Sequence, residues 1–439
     1  MGQFAYDIRG VYPEKVNEKT AYDAGRAVPL FLKAKEVLVG RDCRVSSPAL
    51  AKSLIYGLTD QGVNVRHIGY CTTPMTYWAS KKISTLMVTA SHNPAQYNGI
   101  KITRKGVEPI GEHNGLDKIE KLMNKCHFPE PKKRGLVTPQ NVLPAYVRDV
   151  KKLVGGKYGA LRVLIDCGNG MAGYVVPSLL KGTKIRYDLL YGEMDGRFPN
   201  HTPNPAIPEN TRDLERAMKK GNYDLGIAYD GDCDRVYFVD EKGNRTRPEF
   251  ALLLMARHFG KKGDSLVYTV NCSKVAREAA VEMGFKAFPS PIGHTEIPLV
   301  MKKHKAAVGG EITGHFYFKK FNFADSGDIG ALTVMSVLSK SGMKFSELVK
   351  PYKRYATSEE LNFKVDDKMG VLARVKAAHN GCTMNHIDGL SVDTGDYWFN
   401  MRISKTENYV RLNVEAKNDG QLQKAIKRLS SIVLSQHRD

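Results

Sequence analysis

Three acidic residues at alternate positions form the strongest chemical signal in the sequence. The segment DGDCDR carries Asp230, Asp232 and Asp234. If this segment is extended, the three side chains point to one side, while Gly231 and Cys233 point to the other. Three carboxylates held together repel one another unless a cation lies between them, and an all-oxygen site favours Mg²⁺ or Ca²⁺ over zinc. An acid-rich surface turn is the alternative, but the flanking apolar segments YDLGIAY and VYFVD favour a ligand site at a strand end.

A serine at the end of another apolar segment is a candidate nucleophile or phosphate carrier. In TASHNP, Ser91 is followed by His92 and Asn93, and the nearby segment YNGIK ends at Lys101. The same letters also suit an ordinary turn, because Asn-Pro initiates turns. No GxSxG motif surrounds Ser91, so the nucleophile elbow of a hydrolase is not expected.

The segment GGEITGH has the composition of a sugar-binding loop. Its two glycines would let the backbone approach a ligand, and Glu311, Thr313 and His315 alternate onto one face if the segment is extended. Their donors and acceptors suit vicinal sugar hydroxyls. Taken alone, the segment is equally compatible with a structural turn.

The segment RISKTENYVR, near the C-terminus, has the composition of a phosphate site. Arg402 and Arg411 supply two guanidinium groups, and Ser404 and Thr406 supply two hydroxyls. Guanidinium groups bind phosphate oxygens in bidentate fashion, so this set suits a phosphate dianion. Basic groups also stand beside turn residues in DIRG, GRDCRVSS and SPIGH, namely Arg9, Arg41, Arg44 and His294.

Composition excludes several classes of protein. The chain has 439 residues, of which 66 are Lys or Arg and 46 are Asp or Glu, so its formal net charge is +20. This charge is spread along the chain, and the clusters PKKR and KKHK are short, which argues against nucleic acid and favours small anionic substrates. No apolar run approaches the ~18 residues of a membrane helix.

Cysteine usage and the first residues bear on location and assembly. The seven cysteines are scattered without a CxxC pair, which suits a reducing cytoplasm and predicts neither a zinc site nor a disulfide framework. The opening MGQFAYDIRG carries charges where a secretory signal would be apolar. We therefore expect a cytoplasmic protein without membrane attachment. No dedicated apolar helix face stands out, so we expect a monomer.

Repeated apolar segments that end in Gly, Asp or Ser-rich turns predict parallel α/β units. Helical patterns such as ALAKSLIYGLTDQG and RDLERAMKKG lie between them, and the last part of the chain combines alternating strands with an amphipathic helix. We predict the fold class as α/β, with three α/β domains containing mixed sheets and a smaller C-terminal α+β domain. The predicted boundaries are 1–140, 141–246, 247–353 and 354–439.

The four motifs, in this order along essentially the whole chain, resemble those of the α-D-phosphohexomutase family, which includes phosphomannomutases and phosphoglucomutases. TASHNP is similar to the phosphoserine loop of that family, DGDCDR to its metal loop, GGEITGH to its sugar loop and RISKTENYVR to its phosphate loop. The resemblance implies four domains around a central cleft. Lys405 and Asn408 stand where the family commonly has Gly and Pro, and Thr313 stands where Ser is usual.

The resemblance also implies roles for the candidate residues. Ser91 would carry a phosphoryl group and exchange it with a hexose monophosphate through a hexose 1,6-bisphosphate, which would also activate the enzyme. Mg²⁺ would be held by Ser91, Asp230, Asp232 and Asp234. The other catalytic candidates are Lys101 and Arg9 as acid or base, His315 as a relay, and His92 and Arg235. The substrate-binding candidates are His294, Glu311, Thr313, His315, Arg402, Ser404, Thr406, Asn408 and Arg411.

The sequence favours mannose or glucose phosphates as substrates. GGEITGH is more similar to the loops of phosphomannomutases and phosphoglucomutases than to those of phosphoglucosamine mutases. The alternatives are a phosphoglucosamine mutase and, in different classes, a metal-dependent sugar phosphatase or a non-catalytic phosphosugar-binding protein.

Overall fold

The computed structural model of the chain describes residue 4 and residues 7–125, 128–131, 133–404 and 408–435. Residue contacts divide the chain into two units. The first comprises residues 1–251 and 313–348, and the second comprises residues 252–312 and 349–439. Among the described residues, no helix combines the length and apolar character needed to cross a membrane.

A mixed sheet flanked by helices opens the first unit. Its strands lie in the order β1-β5-β4-β2-β3-β7, with β6 beside β5. Strands β2, β3, β4 and β7 are parallel to one another, and β5 is antiparallel to its neighbours β4, β1 and β6. The elements are β1 (Ile8–Val11), α1 (Glu18–Leu32), β2 (Glu36–Arg41), α2 (Ser47–Asp60), β3 (Asn64–Tyr70), α3 (Thr73–Ser80), β4 (Ser84–Val88), β5 (Tyr97–Arg104), β6 (Glu108–Pro109), a π-helical turn (Glu112–Leu116), α4 (Asp117–Asn124) and β7 (Val137–Pro139).

A second mixed sheet follows in the same unit. Its order is β12-β11-β10-β8-β9; β8, β9 and β10 are parallel, and β11 is antiparallel to both of its neighbours, β10 and β12. The elements are α5 (Leu143–Val154), β8 (Arg162–Asp166), α6 (Ala172–Leu180), β9 (Arg186–Leu190), a 3₁₀ turn (Pro208–Thr211), α7 (Arg212–Lys220), β10 (Leu225–Tyr229), β11 (Val236–Val239) and β12 (Arg245–Thr246).

The chain then contributes to both units. In the second unit, β13 lies between β14 and β15, and all three strands are parallel. In the first unit, β16 and β17 form an antiparallel pair. The elements are α8 (Pro248–Phe259), β13 (Ser265–Thr269), α9 (Lys274–Glu282), β14 (Lys286–Ser290), α10 (Glu296–His304), β15 (Val308–Gly310), β16 (Phe316–Phe318), a 3₁₀ turn (Lys319–Phe321), β17 (Ala324–Asp325), α11 (Gly327–Ser341) and α12 (Phe345–Val349).

The C-terminal part of the second unit is an antiparallel sheet with two helices. Its order is β18-β23-β22-β21-β20, with β19 also paired to β23. The elements are a 3₁₀ turn (Lys350–Tyr352), β18 (Ala356–Thr357), β19 (Leu361–Lys364), α13 (Lys368–Ala377), β20 (Thr383–Asn385), β21 (Leu390–Asp393), β22 (Tyr397–Ile403), β23 (Tyr409–Ala416) and α14 (Asp419–Leu434).

The sequence explains why polar residues collect at strand ends. Strands β4 and β10 are buried along their whole length, and strands covered on both faces read as continuous apolar runs rather than alternating ones. Each gives way to a polar segment at its carboxyl end, where α/β sheets place ligands. The predicted fold class, α/β with mixed sheets and a smaller C-terminal α+β part, is confirmed. The four domain boundaries stay a prediction.

Candidate active site

Ser91 lies just after β4, in a turn that holds it in a left-handed backbone conformation. Its φ is 51°, a region that residues other than glycine rarely adopt. The residue is buried, and its Oγ donates a hydrogen bond to Asp230 Oδ2 at 3.0 Å. His92 Nδ1 lies 3.2 Å from the same oxygen. The predicted phosphate carrier is therefore in direct contact with the predicted metal loop.

His92 is neutral at physiological pH. Burial, reinforced by the positive charges of Arg235 and Arg9, lowers the pKa of this imidazole well below its ordinary value. The ring beside Ser91 therefore adds no positive charge to the site.

Asp230, Asp232 and Asp234 converge, although not in the predicted way. The expectation of an extended segment is wrong, because DGDCDR forms a turn after β10 in which Cys233 has a φ of 65°. The Cys233 N–H donates to the Asp230 carbonyl oxygen at 3.3 Å and closes this turn. One oxygen from each buried carboxylate lies within 4.8 Å of the others. The chain reversal, rather than the period of a strand, brings the three acids together.

Lys101 is carried by β5 to the same carboxylates. Its Nζ donates to Asp232 Oδ2 at 2.7 Å and to Asp234 Oδ2 at 2.6 Å. Burial alone would lower the pKa of Lys101, but the two carboxylates outweigh burial and hold this pKa well above its ordinary value. The ammonium group is therefore protonated at neutral pH and offsets part of the acidic charge.

Asp230 and Asp234 do not hold their protons equally. Burial, followed by repulsion from Asp234 and Asp232, raises the pKa of Asp230 well above its ordinary value. Burial acts in the same direction on Asp234, but the charges of Lys101 and His315 lower the pKa of that carboxyl well below its ordinary value. A proton is therefore held more readily at Asp230, the acid that contacts the serine.

This arrangement fits a hard divalent cation. Among the described residues, the buried Asp232 Oδ1 has no hydrogen-bond partner, and an unpaired buried carboxylate oxygen is costly unless a cation meets it. The available donors are the three carboxylates and the Ser91 hydroxyl, which are the oxygen ligands that Mg²⁺ and Ca²⁺ prefer.

Arg235 and His315 link the metal loop to the chain that precedes β16. They form an isolated β-bridge, and Arg235 Nε donates to His315 Nε2 at 3.1 Å. With Nε2 as acceptor, the proton is assigned to Nδ1, which then donates to Thr313 Oγ1 at 3.1 Å. His315 Nε2 also lies 3.4 Å from Asp234 Oδ1. Residues 312–314 form a turn, so the predicted alternation of this segment onto one face is wrong.

Arg9, at the start of the first sheet, is held by an ion pair. Its Nε donates to Asp7 Oδ1 at 3.0 Å, and its Nη1 donates to Asn93 Oδ1 at 2.8 Å. Burial would lower the pKa of Arg9, but Asp7 and more distant acids raise it above an already high value. Arg9 therefore keeps its proton and contributes a fixed positive charge beside the serine loop.

In the second unit, the structure brings Arg402 and Arg411 together. They are direct cross-strand neighbours on β22 and β23, where like charges destabilise a sheet. Glu360 offsets this repulsion: its Oε2 accepts from Arg402 Nη2 at 2.8 Å, and its Oε1 lies 3.7 Å from Arg411 Nη1. Ser404 is buried after β22, and its N–H donates to the Tyr409 carbonyl oxygen at 2.9 Å.

The other predicted substrate-binding residues are spread over turns of the second unit. Asn408 lies in a bend just before β23, His294 lies in a turn just before α10, and Glu311 is buried just after β15. Thr406 and the neighbouring Lys405 lie outside the described residues. The substrate-binding roles of all these residues stay predictions.

Four residues with direct contacts to the predicted ones were not found from the sequence. Asp7 and Glu360 pair with arginines, and the Thr73 hydroxyl donates to Asp232 Oδ2. Asp325 Oδ2 lies 3.6 Å from His315 Nε2, and burial, with repulsion from Asp234, raises the pKa of Asp325 to about 7. Asp7 precedes Arg9 by two residues, which is a usable local signal.

Asp325 and Glu360 have no such local signal, because their partners lie far from them along the chain. Asp325 lies 10 residues beyond His315, and Glu360 lies 42 residues before Arg402. Such separations leave no periodic pattern in the sequence.

A buried serine in contact with three clustered carboxylates, beside a protonated lysine, has the composition that metal-assisted phosphoryl transfer requires. The chain matches four domain families described as phosphoglucomutase/phosphomannomutase: alpha/beta/alpha domains I, II and III over residues 3–130, 144–243 and 247–355, and the C-terminal domain over residues 360–430.

Individual relatives agree. The phosphomannomutase of Escherichia coli (strain K12) is 35% identical over 437 residues, covering 96% of each chain. A phosphomannomutase/phosphoglucomutase of Pseudomonas syringae is 34% identical, covering 96% of this chain and 92% of its own. A crystal structure of a phosphoglucomutase/phosphomannomutase family protein from Burkholderia thailandensis superposes with a TM-score of 0.87 at 29% identity, covering 98% of this chain and 97% of its own.

The chain belongs to the phosphoglucomutase/phosphomannomutase family. The predicted family and the predicted class of activity, a hexose phosphate mutase, are thereby confirmed.

Proposed function

We propose that the protein interconverts the 6-phosphates and 1-phosphates of mannose and glucose through a phosphoserine at Ser91 and a hexose 1,6-bisphosphate. The observation that carries this proposal is the 3.0 Å contact between Ser91 Oγ and Asp230 Oδ2. It joins a hydroxyl that can accept a phosphoryl group to an acidic cluster suited to a divalent cation. Phosphoryl transfer depends mainly on positioning, which this contact supplies, and on charge neutralisation, which a cation in the cluster would supply.

Asp230, Asp232 and Asp234, with an oxygen of phosphorylated Ser91, would hold Mg²⁺. When bound, the cation offsets negative charge on the transferred phosphoryl group. Lys101, which contacts Asp232 and Asp234, and Arg9, which contacts Asn93 of the serine loop, add positive charge from the protein.

Lys101 and Arg9 divide two roles that the sequence left open. The raised pKa of Lys101 keeps it protonated at neutral pH, and we assign it as the acid that serves the departing serine oxygen. This transfer requires the pKa of Lys101 to fall, as it would if a bound cation offset the two carboxylates that raise it. Arg9, whose pKa is also raised, keeps its proton and stabilises negative charge. His315 is the candidate proton relay.

The remaining candidate residues would hold the rest of the substrate. Two arginines on adjacent strands suit the phosphate that does not react, because each guanidinium offers a planar pair of donors. We assign this role to Arg402, Ser404, Thr406, Asn408 and Arg411. We assign contacts with sugar hydroxyls to His294, Glu311, Thr313 and His315.

The substrate class rests on the relatives and on the sugar loop. The relatives described above are named phosphomannomutase and phosphomannomutase/phosphoglucomutase. Mannose and glucose phosphates differ in the orientation of one hydroxyl, and a loop tolerant at that position accepts both.

A substrate panel tests this proposal. Purified protein with Mg²⁺ and a catalytic amount of glucose 1,6-bisphosphate is given mannose 1-phosphate, glucose 1-phosphate or glucosamine 1-phosphate. Formation of the 6-phosphates of mannose and glucose, dependent on the bisphosphate, is the expected result. Preference for the glucosamine substrate, release of inorganic phosphate without isomerisation, or no turnover would each contradict the proposal.

We further infer that the enzyme acts in the cytoplasm, because the six described cysteines are all free thiols. Its monomeric state and its lack of interaction with nucleic acid stay predictions. Gel filtration with light scattering checks the first, and a salt-titrated binding assay with duplex DNA checks the second.

A further inference from the structure

Arg44 is a fully buried arginine whose side chain is turned into the serine loop. A guanidinium group has five N–H donors in a fixed planar arrangement. Here Nε donates to Asp42 Oδ2 at 3.1 Å. The two terminal nitrogens donate, at 2.6–3.0 Å, to the backbone carbonyl oxygens of Ser91, Asn93, Pro94 and Tyr97.

These contacts differ from the role that the sequence indicated. Beside a turn, Arg44 resembled a basic group available to an anionic ligand. In the structure its side chain is 0% exposed, and its donors are directed to backbone oxygens and to Asp42. Arg44 therefore acts on the loop and not on a ligand.

Thr89 fixes the other side of the Ser91 backbone. The Ser91 N–H donates to Thr89 Oγ1 at 2.9 Å, and Thr89 Oγ1 donates to Asp42 Oδ2 at 2.7 Å. The Arg44 N–H also donates to Asp42, at 3.0 Å to Oδ1. Both polar backbone groups of Ser91 are thus held by side chains that share one buried carboxylate.

This double attachment matters because the backbone of Ser91 is strained. A left-handed conformation is sterically unfavourable for a residue other than glycine and persists only where its surroundings hold it. The metal loop also leaves little room, since a Cβ on Gly231 would lie 2.5 Å from the Ser91 carbonyl oxygen. That oxygen therefore lies between Arg44 and Gly231, and the direction of Ser91 Oγ toward Asp230 follows from the fixed backbone.

We infer that Arg44 and Thr89 are positioning residues for phosphoryl transfer: they hold the Ser91 backbone so that Oγ faces the acidic cluster. This inference rests on the proposed role of Ser91 as phosphate carrier. Neither side chain needs to touch the substrate.

Paired substitutions at Thr89 test the inference. Thr89→Val preserves shape but removes the hydroxyl that receives the Ser91 N–H, whereas Thr89→Ser keeps it. We expect Thr89→Val to lower kcat by about 10- to 100-fold with KM within about 3-fold of wild type, because a displacement near 1 Å costs this much. Thr89→Ser should stay within about 3-fold of wild type in both constants.

Thr85→Val is the matched control for loss of a buried hydroxyl. Thr85 lies on the strand that precedes Thr89, and its Oγ1 has no hydrogen-bond partner among the described residues. We expect its kcat to equal that of wild type. A kcat for Thr89→Val equal to wild type, or an equal loss in Thr89→Val and Thr89→Ser, would overturn the inference.

Arg44→Lys provides a second route if Thr89→Val does not fold. A lysine has three donors and lacks the planar arrangement, so some loop carbonyls lose their partners. We expect a kcat loss of at least 10-fold with KM little changed. Arg26→Lys, at a buried arginine that bonds to Gln61 in the turn after α2, should lose stability without losing kcat. Equal kcat values for the two lysine variants would contradict the inference.

Labelling by radioactive glucose 1,6-bisphosphate, with Ser91→Ala alongside, separates this inference from the proposed function. An inactive, unlabelled Ser91→Ala beside a fully active Thr89→Val would refute positioning while leaving the phosphoserine intact. A fully active Ser91→Ala would refute the proposed function itself.

Discussion

The acidic site around Ser91 and the arginine pair on β22 and β23 handle charge in different ways. At the first, Lys101 bonds to two buried carboxylates at 2.6–2.7 Å, and all three acids are at most 2% exposed. At the second, two arginines share Glu360, at 2.8 Å and 3.7 Å, and the Arg411 side chain is 36% exposed.

The difference matches two kinds of task. Charges in a buried site interact strongly and keep a fixed geometry, which suits a step that needs precise placement of reacting groups. Charges at a half-exposed site interact more weakly and exchange partners at lower cost. Interconversion through a hexose 1,6-bisphosphate requires its two phosphates to exchange places, so in the proposed cycle the arginines release one phosphate and bind the other. Weaker pairing is an advantage there.

The largest expected effect is at the acidic site. Asp232→Asn removes the charge that pairs with Lys101 and a proposed metal ligand. We expect kcat to fall by about 10²- to 10³-fold, and the Mg²⁺ concentration for half-maximal activity to rise by about 10- to 100-fold. Steady-state kinetics at a series of Mg²⁺ concentrations measures both.

Asp240→Asn is the control for removal of a buried charge. Asp240 is 0% exposed and accepts hydrogen bonds from backbone N–H groups in the turn after β11. This variant should be less stable but should keep the Mg²⁺ dependence of wild type. An unchanged Mg²⁺ dependence in Asp232→Asn would remove the acidic loop from the proposed metal site.

A smaller effect, of a different kind, is expected at the arginine pair. Arg402→Lys keeps the charge but loses bidentate geometry, so we expect KM for hexose phosphate to rise by about 10-fold with kcat within about 3-fold. Initial rates over a range of substrate concentrations give both constants. Arg354→Lys, at an arginine paired with Glu282, is the control and should leave KM unchanged. A fall in kcat without a change in KM would erase the distinction between the two regions.

The smallest expected effect is on the pH dependence of stability, and it arises at the buried Asp328. Burial raises the pKa of Asp328 to about 7, although the Tyr146 hydroxyl donates to it at 2.6 Å. Because the unfolded carboxyl titrates near pH ~4, the folded protein holds an extra proton between these values, and this stabilisation is lost as pH rises toward about 7.

Asp328→Asn removes that titration. Relative to wild type, its melting temperature should rise by about 2 °C between about pH 5 and about pH 8. Circular dichroism melts measure this difference. The control is Asp195→Asn, because Arg197 lowers the pKa of Asp195 to about 2, outside that range. A difference between wild type and Asp328→Asn that does not vary with pH would contradict the assignment.

Local patterns in the sequence predicted much of the fold and of the site. The apolar runs before Ser91 and Asp230 are strands β4 and β10, and the amphipathic pattern after residue 418 is helix α14 (Asp419–Leu434). These predictions succeed because strand and helix periods are written in neighbouring residues. The order of the four motifs along the chain also indicated the family, and the matches to the four domain families and to the relatives confirm it.

The remaining features depend on the folded chain. Cys233 adopts a left-handed conformation that its residue type does not indicate. A Cβ on Gly309 would lie 2.6 Å from Met301 Sδ, so this glycine allows packing against α10, a role that the sequence did not indicate. The direction of the Arg44 side chain depends on the path of the serine loop around it. Tertiary packing determines these three features, and no local sequence pattern encodes them.

The central claim is that Ser91 carries the phosphoryl group, and intact-protein mass spectrometry tests it directly. Incubation with glucose 1,6-bisphosphate and Mg²⁺ should add one phosphate, located at Ser91 by peptide mapping, and a hexose 6-phosphate should remove it. Ser91→Ala should gain no phosphate and should lose at least about 10³-fold in kcat while keeping the circular dichroism spectrum of wild type. Phosphorylation at another residue, or near-normal turnover by Ser91→Ala, would contradict the account.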